Sequence, residues 1–359
     1  MFRPSAATPL LALLLLLAGC GRAPAPQADA APPQTLMRAP GTVETKSEPE
    51  IVFTPPDEVD VRTTTRWPPA SVKSGDAWIS CTLDYAEAGN GQPLVSLDFF
   101  AVLDAMAPCQ TEGVVRLAYR GKVASDFTAL VERVAAMATR MGIRKRVLDL
   151  DSSGGQVEDA IEAGDAIGES RWTIWVREDA VCHSSCVLVL AGGDDRVVSG
   201  QVGVHRMMRM KSKARTRAEL SAELEEIYAQ VQDYLERNGV SPNVADLMMT
   251  VPNRRLRLLT EEEMTRFGLS GPNAAQDDLE RIALMRQCGE EFVFRRDAFL
   301  RAYEGECAVG SLDVDARNAC GIALRQRFGF PDAACPDESP LSEFDRPLPP
   351  APAEVAAAR

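Results

Sequence analysis

The chain has 359 residues, with 52 acidic against 39 basic side chains, a net charge of -13 and 45% hydrophobic residues. That length and apolar content suffice for one substantial α/β domain with an appendage. The acidic balance, without any basic cluster, argues against nucleic acid or an anionic lipid surface as partner.

The first twenty residues, MFRPSAATPLLALLLLLAGC, put one basic residue ahead of an apolar run from Leu10 to Leu17, then small residues up to Cys20. The run is too short to span a bilayer as a mature helix and reads as a secretory signal. Leu17-Ala18-Gly19-Cys20 resembles the lipobox of bacterial lipoproteins, which implies cleavage before Cys20 and lipidation of that residue; a plain cleaved signal is the alternative. Gly21 follows in place of the aspartate that favours inner-membrane retention, so the resemblance implies an anchor in the outer membrane facing the periplasm. Residues 21–60, rich in Ala, Pro, Gln and Thr, have no apolar period and read as a disordered tether.

Eight further cysteines, Cys81, Cys109, Cys182, Cys186, Cys288, Cys307, Cys320 and Cys335, form an even set. In an oxidising compartment that implies disulfides, of a connectivity the spacing leaves open. The favoured pairings are Cys81 with Cys109, Cys182 with Cys186, and two bridges among the last four.

Residues 61–113 read as an N-terminal extension and 114–276 as the main domain. In the latter, VVRLAYRG from Val114 is a buried strand, and Ser125 N-caps a helix with Phe127, Leu130, Val131, Val134 and Met137 at helical spacing. RVLDLD is the next strand, SSGG a tight turn, and QVEDAIEAGDAIGES a helix with Val157, Ala160, Ile161 and Ile167 inward. Strands follow at Trp172–Val176 and at QVGVHRM. Repeated strand, glycine turn and helix predict parallel strands joined by right-handed crossovers. A long helix capped near Thr216 stops at Asn238-Gly239, and Thr260 with Glu263 forms a capping box before Gly268. Residues 277–335 read as a small helical, cysteine-containing region and 336–359 as a disordered tail.

The chemistry concentrates in two stretches. Ser152-Ser153-Gly154-Gly155 ends a strand and opens a helix, which lets backbone N–H groups approach an anion. Asp149 and Asp151 just before it give an Asp-x-Asp at a strand end, as in aspartate-nucleophile phosphatases. The second stretch is Cys182-His183-Ser184-Ser185-Cys186, which puts Ser184 near a helix N-terminus. A serine needs a base within reach, and the chain has only two histidines, His183 and His205. His183 adjoins Ser184 and would point elsewhere; His205, 21 residues on at a strand end, is the candidate. A zinc site lacks further ligands, so neither a metal nor a cofactor is expected. Cys182 and Cys186 are either a bridge bracing the turn or two inert buried thiols.

Ser152-Ser153-Gly154-Gly155, Cys182-x-Ser184-x-Cys186, Leu190-Ala191-Gly192-Gly193 with Arg196, Gly203-Val204-His205-Arg206 and the later LLTEEEMTRFGL together resemble the ClpP/crotonase superfamily, in particular secreted relatives of the Clp protease proteolytic subunit. The resemblance covers about Val114 to Gly271. It implies a spiral of β-β-α units, a peptide or protein substrate, and possible assembly into a homo-oligomer. Carried over residue by residue, it implies Ser184 as nucleophile, His205 as general base, and the N–H groups of Gly155 and Ser185 as oxyanion hole, Gly155 to Ser184 being the family's 29-residue step. Ser185 is the alternative nucleophile. The family's third triad member falls near Leu256 in VPNRRLRLL, where no carboxylate stands; Asn253 is then the candidate to orient His205, or the pair acts as a dyad. Lys211 and Lys213 are alternative bases that no spacing selects. The expected function is a lipid-anchored periplasmic serine hydrolase working through an acyl-enzyme; the alternative is a binding or scaffold lipoprotein that keeps the fold without turnover. Acyl-CoA chemistry of the crotonase kind is disfavoured for an exported chain.

Overall fold

The computed structural model describes residues 59–209, 212–308 and 314–345. The expected signal segment, Cys20 and nearly all of the tether, together with Met210, Lys211 and the tail beyond 345, lie outside the described residues.

The elements in chain order are β1 (Gly75–Ser80), α1 (Tyr85–Ala88), β2 (Gln92–Pro93), α2 (Phe99–Glu112), β3 (Val114–Val123), α3 (Ser125–Arg140), β4 (Lys145–Gly155), α4 (Val157–Gly168), β5 (Thr173–Val176), β6 (Val181–His183) and α5 (Cys186–Ala191). They continue as β7 (Asp195–Val198), β8 (Gln201–Val204), α6 (Arg217–Arg237), α7 (Asn243–Thr250), β9 (Arg257–Leu258), α8 (Glu261–Phe267), β10 (Gly271–Pro272), α9 (Ala274–Cys288), α10 (Glu290–Glu306), α11 (Val314–Arg327) and a 3-10 turn at Ser342–Asp345.

The architecture is mixed α/β around a mostly parallel sheet of order β10-β7-β5-β4-β3-β1-β2. The inner strands β3, β4, β5 and β7 are parallel, while β1, β2 and β10 close the two edges antiparallel. A branch leaves the end of β4, where Ser152 pairs with Cys182 of β6; β6 runs parallel to β8, and β9 adds antiparallel to β8. Each of β5-β6-α5 and β7-β8-α6 therefore places one strand in the main sheet, the next in the branch, and then a helix. Residues 61–113, read as an extension, are an integral edge of this sheet: β1 runs antiparallel to β3 through six paired positions, and Cys81 is bonded to Cys109.

Local rules account for most elements. The apolar spacing of α3 buries Phe127, Leu130, Val131, Val134 and Met137, each contributing about 1.5–3 kcal/mol by leaving water. Ser125, expected as N-cap, is instead the first helical residue after Ala124 and makes no capping bond. Both capping boxes form, Thr216 with Glu219 and Thr260 with Glu263, and Gly268 ends α8 in the left-handed region.

The expected tight turn at SSGG is not a turn. β4 stays extended through Gly155, which pairs with Val123 across an irregularity in β3. A side chain on Gly155 would stand 1.9 Å from the Val123 carbonyl oxygen, so glycine is needed for close approach of two backbones rather than for a bend.

Asp149 and Asp151 are also not poised for chemistry. Asp149 is buried between Arg116 (3.2 Å) and Arg177 (2.8 Å), and Asp151 holds Arg120 and the Val181 N–H, so the phosphatase alternative fails.

The cysteine-bearing region begins at Ala274 with Asn273 as N-cap and has its own small core of Leu284, Phe292, Val293, Phe299, Leu324 and Phe330. Cys288–Cys335 and Cys307–Cys320 cross-link it. Within residues 336–345, assigned to the tail by composition, residues 339–342 lie against the helical region: Arg325 donates to the carbonyls of Pro340 and Leu341 and pairs with Asp345.

Asp194, just before β7, buries a carboxylate oxygen that finds no partner among the described residues, and burial pushes its carboxyl up to about 6, with Glu280 adding to the shift. A carboxyl raised above its unfolded value binds its proton more tightly when folded, so stability falls as pH rises from about 4 through 6. Asp194→Asn should match the wild type near pH 3, below the unfolded carboxyl value, and exceed it at pH 7.5 by on the order of 1 kcal/mol after allowance for partial exposure, read by urea denaturation at both pH values. Equal stability of the two proteins at pH 7.5 would count against this account.

Candidate active site

β6 passes into α5 with only Ser184 and Ser185 between them. A parallel strand that turns directly into a helix must reverse within one or two residues, and Ser184 does so at φ +58, in the left-handed region that non-glycine residues rarely enter. Three features hold it there. The Ser184 N–H donates to the Gly203 carbonyl of β8 (2.8 Å), the Ser184 carbonyl accepts from Val187 (3.1 Å), and Cys182 is disulfide-bonded to Cys186 across the turn, with Cα atoms 5.2 Å apart. The bridge settles the open alternative for these cysteines and removes both sulfurs as zinc ligands. Gly154, at φ +91, makes room: a side chain there would meet the Ser184 Cβ at 2.7 Å and the His183 carbonyl at 2.6 Å.

Ser184, His205, Gly155 and Asn253 line a single cavity of about 190 Å³, together with Ser153, Gly154, Val157, Met207, Met208 and Lys122. Residues far apart in the chain thus meet where the branch of the sheet leaves β4. Ser184 keeps 8% of its surface exposed and lines this cavity, whereas Ser185 is fully buried. The Ser185 hydroxyl accepts the Gly155 N–H at 2.7 Å. Gly155, expected as an open oxyanion donor, therefore spends its N–H on Ser185 in this state, because a buried hydroxyl and a buried N–H each need a partner. The same bond restrains Ser185 and sets it apart from Ser184 as a nucleophile.

His205 Nδ1 lies 3.0 Å from the Arg206 carbonyl oxygen. A carbonyl only accepts, so Nδ1 is the donor and Nε2 of the neutral ring keeps its lone pair. No hydrogen bond joins His205 to Ser184 in this arrangement, although both face the cavity. Asn253 is hydrogen-bonded elsewhere than to the His205 ring: its amide nitrogen donates to the same Arg206 carbonyl at 3.0 Å. Leu256, at the position where the family resemblance places a carboxylate, is partly exposed beside β9.

His183 lies on β6, outside the cavity, with Nε2 buried and unpartnered; burial holds its imidazole below the ordinary histidine value. Lys213 is exposed and does not line the cavity. Two residues escaped the sequence reading. Lys122, on β3, is the one charged side chain lining the cavity among the described residues and carries no motif. Arg206 stands in a motif, but its part depends on contacts 43 residues away.

No family model matches the chain, and no curated protein matches it. Among solved structures, a serine-to-alanine mutant of the 1510-N membrane-bound stomatin-specific protease is similar at 15% identity and a TM-score of 0.35, covering 46% of this chain and 80% of that one. A lysine-to-alanine mutant of the same protease, in complex with a substrate peptide, is similar at 16% identity and a TM-score of 0.35, covering 43% of this chain and 71% of that one. At these values the likeness assigns no role to any residue here.

The left-handed backbone at Ser184 has a measurable signature. Ser184→Gly should be more stable than Ser184→Ala by about 1 kcal/mol, since only alanine keeps the Cβ that this conformation opposes. Urea midpoints of the two variants decide it, and an alanine variant as stable as the glycine variant would contradict the assigned geometry. Removing the bridge with Cys182→Ala and Cys186→Ala together should cost about 2 kcal/mol in the same assay, the loop-closure entropy of so short a ring.

Proposed function

We propose that this chain is a serine hydrolase of the ClpP/crotonase type that acts on peptide or protein substrates through an acyl-enzyme on Ser184. The observation that carries the proposal is a serine held in a strained, disulfide-braced turn, sharing one cavity with a histidine whose Nδ1 is tied back and whose Nε2 is free to accept a proton. The winding of β-β-α units around that turn supports the type.

In this scheme Ser184 Oγ attacks the substrate carbonyl carbon as its proton passes to His205 Nε2. The developing oxyanion takes N–H donors at the Ser184 turn: the Ser185 N–H, and the Gly155 N–H once the Ser185 hydroxyl rotates away. The C–N bond breaks with the His205 proton going to the leaving amine. Water then attacks the ester with His205 again as base, releasing the carboxylic acid and restoring Ser184. Met207, Met208 and Val157 give the cavity an apolar wall for a substrate side chain. The four disulfides support an oxidising location, in keeping with a lipid anchor on Cys20 and a periplasm-facing protein.

A second reading, a binding or scaffold protein without turnover, is favoured by the lack of a carboxylate on His205 and by the occupied Gly155 N–H. Labelling with a fluorophosphonate probe separates the two. The hydrolase should label on Ser184; Ser184→Ala should lose labelling, and His205→Ala should slow it by at least about a hundredfold. Ser185→Ala, which frees the Gly155 N–H, should label at the wild-type rate or faster. Robust labelling of Ser184→Ala would refute the assignment, and an unlabelled wild type would favour the scaffold.

A further inference from the structure

The geometry points to Arg206 as the positioning residue that replaces the carboxylate of a serine triad, acting through its own backbone carbonyl on His205. This inference rests on the hydrolase reading above and names how that site is oriented.

A histidine base needs its Nδ1–H held by an acceptor, so that the ring keeps one tautomer and one orientation. Here the acceptor is the carbonyl of the very next residue, at 3.0 Å. A peptide carbonyl adjacent in sequence is a poor anchor unless its position is fixed, because three soft backbone dihedrals, ψ of His205 and φ and ψ of Arg206, separate it from the His205 Cα. Three sets of contacts hold Arg206, one of them on the carbonyl itself. The Arg206 N–H donates to the Val251 carbonyl at 2.8 Å. The Arg206 guanidinium places Nε and Nη2 on the Met249 carbonyl at 2.9 and 2.7 Å. The Asn253 amide donates to the Arg206 carbonyl itself at 3.0 Å.

The Met249 carbonyl is one of the last four of α7, which lack partners within the helix. A guanidinium with several donors in a rigid fork suits it, and the fork ties the His205 segment to the end of that helix. Asn253 also has its place: a second donor on the Arg206 carbonyl holds that oxygen where Nδ1 needs it. The absent carboxylate near Leu256 is thereby replaced by a neutral backbone acceptor with two side-chain braces. Nothing in this arrangement calls on Lys122 or His183.

With only two histidines in the chain, long-range proton–nitrogen NMR of the full-length protein labelled in histidine nitrogen reads the tautomer directly, with His183→Gln supplying the assignment. At about pH 8.5, above the ordinary histidine range, His205 should be the Nδ1–H form. Arg206→Ala should turn that signal into a mixture of tautomers. It should also slow fluorophosphonate labelling at least about tenfold with reversible probe affinity unchanged, short of the roughly 10⁴-fold that losing the orienting group of a triad costs. Arg206→Lys, which keeps one donor for Met249, should recover part of the rate. Asn253→Ala, a change at an exposed position, repeats the test if Arg206→Ala does not fold.

An Nε2–H tautomer in the wild type would overturn the inference, as would an unaltered tautomer and labelling rate in both Arg206→Ala and Asn253→Ala. A wild type that shows the Nδ1–H tautomer but never labels would sink the hydrolase reading and still support the ring anchor.

Discussion

Ser184 holds a left-handed backbone between a strand and a helix with almost no loop, and the neighbouring structure is arranged around the cost of that conformation. Such a residue costs of the order of 1 kcal/mol or more and persists only where its surroundings over-determine it. Here the surroundings are the Gly203 carbonyl, the Cys182–Cys186 bond and the bare Cα of Gly154. Each comes from a different part of the fold: the neighbouring strand of the branch, the turn itself, and the extended end of β4. The branching of the sheet is what brings them together, since β4 continues past the main sheet far enough for Ser152 to pair with Cys182.

Buried arginines fasten the elements on either side. Arg196 is sunk in the core, where burial pulls its guanidinium down to about 10, and it donates to the carbonyls of Leu190, Ala191, Asn238 and Gly268. Those oxygens lie at the C-terminal ends of α5, α6 and α8, so one side chain satisfies carbonyls left over by three helices. α5 is thus pinned at its far end by Arg196 and at its start by the disulfide, with the Tyr234 hydroxyl donating to the Leu188 carbonyl between them. On the other flank Arg116 and Arg177 enclose Asp149 at the middle of β4. Burial opposes the charge on Arg116, and the carboxylate beside it offsets that opposition. Removing Asp149 would leave the buried Arg116 charge uncompensated under the strand that ends at the cavity.

The same habit, a guanidinium on backbone carbonyls, recurs at Arg206 and changes the electrostatics of the site. A carboxylate behind a histidine stabilises the imidazolium by full charge; a carbonyl does so only by its dipole. The base is then oriented well and stabilised weakly, and among the described residues the charged side chain that lines the cavity, Lys122, is a cation. The Gly155 N–H held by Ser185 adds a second restraint, since the donor must be released before it can meet an oxyanion.

Much of this was legible in the residues themselves. The apolar period of α3, the cap at Thr216, the Thr260 capping box and the helix stop at Gly268 follow from local spacing, because helices and caps depend on near neighbours; the cysteine pairings are favoured but left open by spacing, and the closed fold decides them. Ser184, His205 and Gly155 are singled out by resemblance to a known family and Asn253 by its chemistry, and the four line one cavity. What the tertiary structure alone decided were contacts between backbones remote in sequence. SSGG reads as a turn by composition and is a strand because Val123 lies against Gly155. Asn253 reads as a partner of His205 by chemistry and serves the Arg206 carbonyl instead. Residues 336–345 read as a tail, yet Pro340 and Leu341 are held because Arg325 reaches their carbonyls. A side chain's identity states what it can donate or accept; which distant carbonyl it meets is set only when the chain has closed on itself.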